Sequence, residues 1–191
     1  VCNEIRRLHN RYGVAYRDIA VLYRTNAQSR LFEEELRRQD TPYRIYGGMS
    51  FYQHKEIKDV IAYFRLVANP NDEEALKRVI NYPKRGIGDT TISKLIAASR
   101  ACNVSLWDVV GNPSMYNAGV SAGTEKKVLG FYYLIDEFIR DNRTVDAYGL
   151  GKEILEKSGL KFELASDKTM EGAERQENIE EFMSGLHDFV D

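Results

Sequence analysis

Asn81-Tyr-Pro-Lys-Arg-Gly-Ile-Gly-Asp-Thr-Thr-Ile92 joins two stretches of helical periodicity, and its turn decides how the rest of the chain is read. A helix ending near Asn81 is stopped by Pro83, which lacks the backbone N–H that a continuing helix uses. Gly86-Ile87-Gly88 predicts a tight hairpin that buries Ile87 between two residues free to adopt unusual dihedrals. Asp89 or Thr90 is expected to cap the next helix. Such a hairpin points backbone N–H groups outward, beside the positive end of that helix and the basic side chains Lys84, Arg85 and Lys94. From Pro83 to Arg100 four basic residues face the single acid Asp89, so the positive excess is local to the turn. These donors suit a DNA phosphate held without reading base sequence. Lysines merely solvated around a plain helix–turn–helix connection explain the same residues, and the segment alone does not choose.

Outward from the hairpin, apolar residues recur at helical intervals over 54–68, 72–80, 90–102, 106–110, 124–140, 145–158 and 172–190. The loop 111–123 is the longest between them and is expected to be the least ordered. Residues 1–46 read differently. A helix over 1–12, closed by Gly13, leads to Ile19-Ala-Val-Leu-Tyr23, a short apolar run of the kind a strand buried on both faces shows. A helix over 26–38 follows, broken at Asp40-Thr41-Pro42, and Tyr43-Arg-Ile-Tyr46 alternates like a half-buried strand. Two strands cannot close a sheet, so this α/β piece looks like part of a larger domain. Gly47-Gly48 sits between the two regions as a hinge candidate. The expected fold class is α+β overall and mostly α: a short α/β segment at 1–46, a hinge at 47–48, and an all-helical module at 49–191.

The 191 residues carry 27 basic and 29 acidic side chains, which excludes a histone-like polycation and leaves local patches to set any nucleic-acid contact. No apolar run approaches the ~18 residues of a membrane helix, and no signal peptide opens the chain, so the expected compartment is the cytoplasm with no membrane partner. Cys2 and Cys102 lie far apart without a CxxC partner, which fits reduced structural thiols. The chain opens on Val1 and is charged and helix-forming from there, as expected of a piece of something longer.

No nucleotide cradle of the GxxxxGK[ST] type is present, and Gly86-Ile87-Gly88 lacks the third glycine and the preceding strand of a dinucleotide fingerprint. His9, His54 and His187 are unpaired at metal-ligand spacing, and nothing resembles an activated nucleophile, so no catalytic and no metal residues are expected. The acidic runs at 72–74 and 177–181 are read as a helix N-terminus and a solvated helix face. A second binding candidate follows the first apolar run. Residues at the C-terminal end of a strand in an open sheet face the ligand crevice, which places Arg24, Asn26, Gln28 and Arg30 near phosphate or base edges. Capping of the next helix by Asn26 is the plainer alternative.

Five segments in order carry a resemblance to a known family. Val21-Leu-Tyr-Arg-Thr-Asn-Ala-Gln-Ser-Arg30, Pro42-Tyr-Arg-Ile-Tyr-Gly-Gly-Met-Ser-Phe51, Glu56-Ile-Lys-Asp59, Pro83-Lys-Arg-Gly-Ile-Gly88 and Glu177-Asn-Ile-Glu-Glu-Phe182 resemble the UvrD/PcrA/Rep helicases. The resemblance implies a fragment of an ATP-dependent, 3′-to-5′ DNA-unwinding motor with two RecA-like domains. Residues 1–46 would be the first part of the second RecA-like domain, Gly47-Gly48 the hinge, and 49–191 a C-terminally incomplete 2B subdomain. Arg24 and Asn26 match single-strand contacts; Lys58 and the Gly86-Ile87-Gly88 turn with Thr91 match positions that grip duplex DNA. His54 stands where related sequences commonly carry an arginine, which would make that contact weaker or pH-dependent. ATP and Mg2+ belong to the parent protein and not to the fragment, which is expected to be inactive alone because the Walker motifs are missing. The implied partners are a single-strand/double-strand junction, the remaining helicase domains, and proteins of repair or replication. The rival readings are a stand-alone helix–hairpin–helix DNA-binding or protein-interaction module, and part of a helicase–nuclease.

Overall fold

The computed structural model describes residues 1–46 and 48–190, with the side chain of Asn26 left out. Among them the regular structure is entirely helical. The N-terminal segment holds α1 (Cys2–Tyr12) and α2 (Ser29–Arg38), with 3₁₀ turns at Tyr16–Asp18 and Asn26–Gln28. The helical body holds α3 (Lys55–Ala68), α4 (Glu73–Val79), α5 (Asp89–Cys102), α6 (Leu106–Gly111), α7 (Ala122–Asp141), α8 (Ala147–Lys157), α9 (Leu160–Ser166) and α10 (Met170–Val190), entered through a 3₁₀ turn at Phe51–Gln53.

Local chemistry sets many of the boundaries. Gly13 takes a left-handed conformation and closes α1: its N–H donates to the His9 carbonyl and the N–H of Val14 donates to the Leu8 carbonyl. Asp72, Ser121 and Asp146 cap α4, α7 and α8 by accepting backbone N–H groups of their first turns, and Ser105 forms a reciprocal capping box with Asp108 on α6. Packing supplies the rest. In α7 the buried Val128, Phe131, Ile135 and Phe138 recur along one face and meet the central helix α3. That helix also packs on α4, α8 and α10, so its Ile57, Val60, Tyr63 and Leu66 are sealed in the core. Each such side chain contributes about 1.5–3 kcal/mol of transfer free energy.

Three expectations are corrected. Neither 19–23 nor 43–46 forms a strand: among the described residues the backbone runs extended at Ile19 but makes no ladder. A strand needs a neighbour to take its N–H and C=O groups, and the chain offers none here. Leu22 is accordingly 94% exposed and Tyr46 81%. The loop 111–123 is more built than expected, since Pro113 and Ala118 are buried and the Ser114 N–H and hydroxyl both donate to Glu125. The short helix α9 was not anticipated. Its seven residues offer only Leu160 and Leu164 as a buried pair, too few for a periodic signal.

Candidate nucleic-acid interface

The hairpin is built from beneath by Asn81. Its side-chain oxygen accepts the N–H groups of Arg85 and Ile87, both at 3.0 Å, which folds the chain back on itself directly after α4. The Tyr82–Pro83 peptide is cis. Gly86 sits at φ 73°, a left-handed conformation that a side chain would resist, while Ile87 is fully buried and pins the loop to the core. Gly88 is the N-cap of α5 and makes no side-chain capping bond, so the expected cap from Asp89 or Thr90 is absent. The first amides of α5, those of Asp89 and Thr90, therefore meet no acceptor among the described residues, and Thr91 N–H turns back to the Gly88 carbonyl at 2.9 Å. A Cβ on Gly88 would meet nothing of the protein within 4 Å, so the space beside the hairpin at Gly88 is open.

The basic side chains divide sharply. Lys84 is exposed at the hairpin, and Lys94, one turn into α5, donates to the Gly119 carbonyl at 2.8 Å while remaining exposed. Arg85 turns inward. Its guanidinium donates to the carbonyls of Val79 (3.0 Å), Pro83 (3.1 Å) and Ser158 (3.0 Å) and to the Tyr63 hydroxyl (2.7 Å), 5.5 Å from the Phe131 ring centroid. The Tyr63 hydroxyl, its pKa pushed up by burial, donates a hydrogen bond to the Tyr82 carbonyl at 2.7 Å. Arg85 is thus a strut under the hairpin, and a phosphate on the outer face would not reach its bonded donors.

One basic residue at this face was missed in the sequence. Lys127 on α7 lies so close to the turn that a Cβ on Gly86 would stand 2.8 Å from its Nζ, although forty-one positions separate the two residues. The only sequence signal was the exposed pair Lys126-Lys127 near the start of a helix, which chain order alone does not connect to the hairpin. The start of α3 is adjacent as well, because the Lys55 ammonium stands 3.5 Å from the centroid of the Tyr82 ring. Lys58 follows one turn later, exposed, and Thr90 is exposed on α5 with Thr91 half-buried.

The second group of candidates is not brought to this face. Arg24 is exposed and its backbone N–H is held by the Gln28 side chain at 2.9 Å, so Gln28 shapes the turn while its own body stays exposed. Asn26 opens the 3₁₀ turn before α2, and its side chain lies outside the described residues, as does Gly47 of the hinge pair; Gly48 is exposed. Arg30 is 5% exposed, with Nε 2.8 Å from Glu181 and Nη1 3.0 Å from Glu34. Burial disfavours its charge, yet the two carboxylates outweigh burial and raise its pKa. His54 is half-buried, 3.7 Å from Glu56, whose carboxylate also accepts from Asn178 at 2.6 Å. Among the described residues no group of three His, Cys, Asp or Glu side chains is placed to hold a metal ion, and no helix is long and apolar enough to cross a membrane.

Comparison with known proteins gives a consistent answer. Residues 1–191 match the family of the UvrD-like helicase C-terminal domain. The chain is 40% identical over 189 residues to the ATP-dependent DNA helicase PcrA of Staphylococcus aureus (strain NCTC 8325 / PS 47), and 38% identical over the same length to PcrA of Staphylococcus epidermidis (strain ATCC 12228 / FDA PCI 1200). In both cases the match covers 99% of this chain and 26% of the relative, so the chain spans about a quarter of the curated relatives' length.

Proposed function

This chain belongs to the UvrD-like helicase C-terminal domain family, and from that premise we propose that it is the DNA-junction-holding part of an ATP-dependent 3′-to-5′ helicase. Residues 1–46 are read as the opening part of the second RecA-like domain, whose sheet is completed by other parts of the parent. The pair 47–48 is the hinge, and 49–191 is the helical 2B subdomain. The observation that carries the reading is the open first turn of α5, set behind a hairpin anchored by Ile87 and flanked by Lys84, Lys94 and Lys127. Backbone N–H groups at a helix start, with lysines around them, suit a phosphate and read no base, as a motor moving along any sequence requires.

Arg24 and the Asn26–Gln28 turn are the single-strand end of the arrangement, and Lys58 and Thr91 extend the duplex grip. The sequence carries no GxxxxGK[ST] loop and no group of three metal-ligating side chains stands among the described residues, and no step is routed through ATP or Mg2+ here. They are assigned to the remaining helicase domains. In the intact protein this part would hold or release duplex while those domains move the single strand, in the cytoplasm and in the service of repair or replication.

The test is fluorescence anisotropy of the chain with a tailed duplex, a blunt duplex and a single strand across a salt series. Duplex binding should weaken with salt, and Lys84→Ala and Lys94→Ala should each flatten the slope of log affinity against log salt by about one. Slopes unchanged in both variants, or no affinity for any DNA at low salt, would count against the grip.

A further inference from the structure

We propose that Glu33, together with the Arg30–Glu181 ion pair, is a positioning clasp that fixes the orientation of the N-terminal segment on the helical body. Its consequence for DNA, that it holds the single-strand end at a set angle to the duplex hairpin, rests on the function proposed above. The clasp itself rests on geometry alone.

Glu33 is 2% exposed, yet every donor it meets is polar. From its own side of the 47–48 connection it accepts the Ser29 hydroxyl (3.1 Å), the Tyr43 hydroxyl (3.2 Å) and Arg37 Nη2 (3.3 Å). From the other side it accepts the Phe51 backbone N–H at 2.8 Å and the Ser50 hydroxyl. One carboxylate therefore ties residues before and after the connection to a single point. The neighbouring Glu34 takes the Tyr52 hydroxyl in the same sense. The second point lies on α10. There Arg30 bridges Glu34 of its own helix to Glu181 of the body, and a Cβ at Gly185 would stand 2.5 Å from Arg30 Nη1, so a side chain there would force the arginine to shift.

The apolar clusters of the two regions do not merge across the junction: the segment's small cluster of Cys2, Ile5 and Leu36 is separate from the cluster of the body. Charge-assisted hydrogen bonds are directional, and a buried carboxylate that loses its donors is strongly disfavoured. A junction held this way has one well-defined orientation and resists small displacements, and it opens only when several bonds break together.

The experiment measures the distance distribution between spin labels on Cys102, which is exposed at the end of α5, and on an Arg17→Cys variant in the exposed turn of the segment, with buried Cys2 left unlabelled. The otherwise unchanged chain should give one narrow distance. Glu33→Gln combined with Glu181→Gln should broaden or shift it, while helical content and blunt-duplex affinity stay the same. Glu181→Gln alone breaks the ion pair at the second point, leaves the donors of Glu33 in place and serves where the double variant loses structure; it should broaden the distribution less. A distribution as narrow in these variants as in the parent, or one already broad in the parent, overturns the clasp. Tailed-duplex affinity is the second readout, and it should fall about tenfold if the competent orientation drops to about a tenth of the population. An altered distance with unchanged tailed-duplex affinity keeps the clasp and refutes its part in DNA binding.

Discussion

The helical body and the N-terminal segment are both rich in apolar residues, and only the first satisfies itself. In the body, α3 is enclosed by α4, α7, α8 and α10, and residues such as Tyr63, Phe131 and Phe138 are sealed. In the segment, three buried residues with Tyr16, Ile19, Val21 and Phe32 packed against them form a small cluster, while Leu22, Leu31 and Tyr46 stand exposed. A helix satisfies its backbone internally and needs a partner for one face only, whereas a strand needs neighbours for its edges as well. Of the two regions, the one made of helices encloses its own core, and the other shows apolar runs without a ladder among the described residues.

Changes ordered by expected size sharpen or break this contrast. Ile87→Ala, at the sealed anchor of the hairpin, should cost about 3 kcal/mol in urea unfolding and should also weaken duplex binding. Tolerance of this change would show that the turn is not held by its core residue. Arg85→Met leaves the carbonyls of Val79, Pro83 and Ser158 without their donor and should cost about 2 kcal/mol, whereas a surface phosphate ligand would lose affinity and no stability.

Tyr52 tests the junction between the regions. Its pKa is pushed up to about 12, first by burial and then by its hydrogen bond to Glu34. An acid whose folded pKa lies above its unfolded value of about 10 stabilises the fold fully below pH 10 and loses that contribution as pH rises toward 12. Because the ring is only half-buried and screened by solvent, the loss should be about 1 kcal/mol, and Tyr52→Phe should abolish that part of the alkaline transition. Least of all, Leu22→Ser should leave stability within about 0.5 kcal/mol, since the side chain is 94% exposed, and should reduce self-association at high concentration. A large loss of stability there would mean that the segment packs far better than its exposure indicates.

The hairpin was readable because its signals are local: a proline that stops a helix, two glycines around an apolar residue, and lysines on either side. Arg85 and Lys127 were not, for opposite reasons. Arg85 looked like its neighbour Lys84, but the turn carries it inward to four acceptors, three carbonyls and one hydroxyl, from three parts of the chain. Lys127 gave no hint of the hairpin because α7 reaches it only through the fold. Arg30 likewise followed an apolar run as a ligand contact would, and tertiary structure gave it to Glu181, 151 positions away.

By itself the sequence determined the helix-forming stretches, the breaks at Gly13 and Pro83, the burial of Ile87 and the family resemblance, because each follows from periodicity, dihedral preference or residues in order. Tertiary structure decided which charged side chains remain free and which become struts. That choice depends on acceptors contributed by remote helices, and a buried charge is committed to whichever partners the fold brings within hydrogen-bond distance.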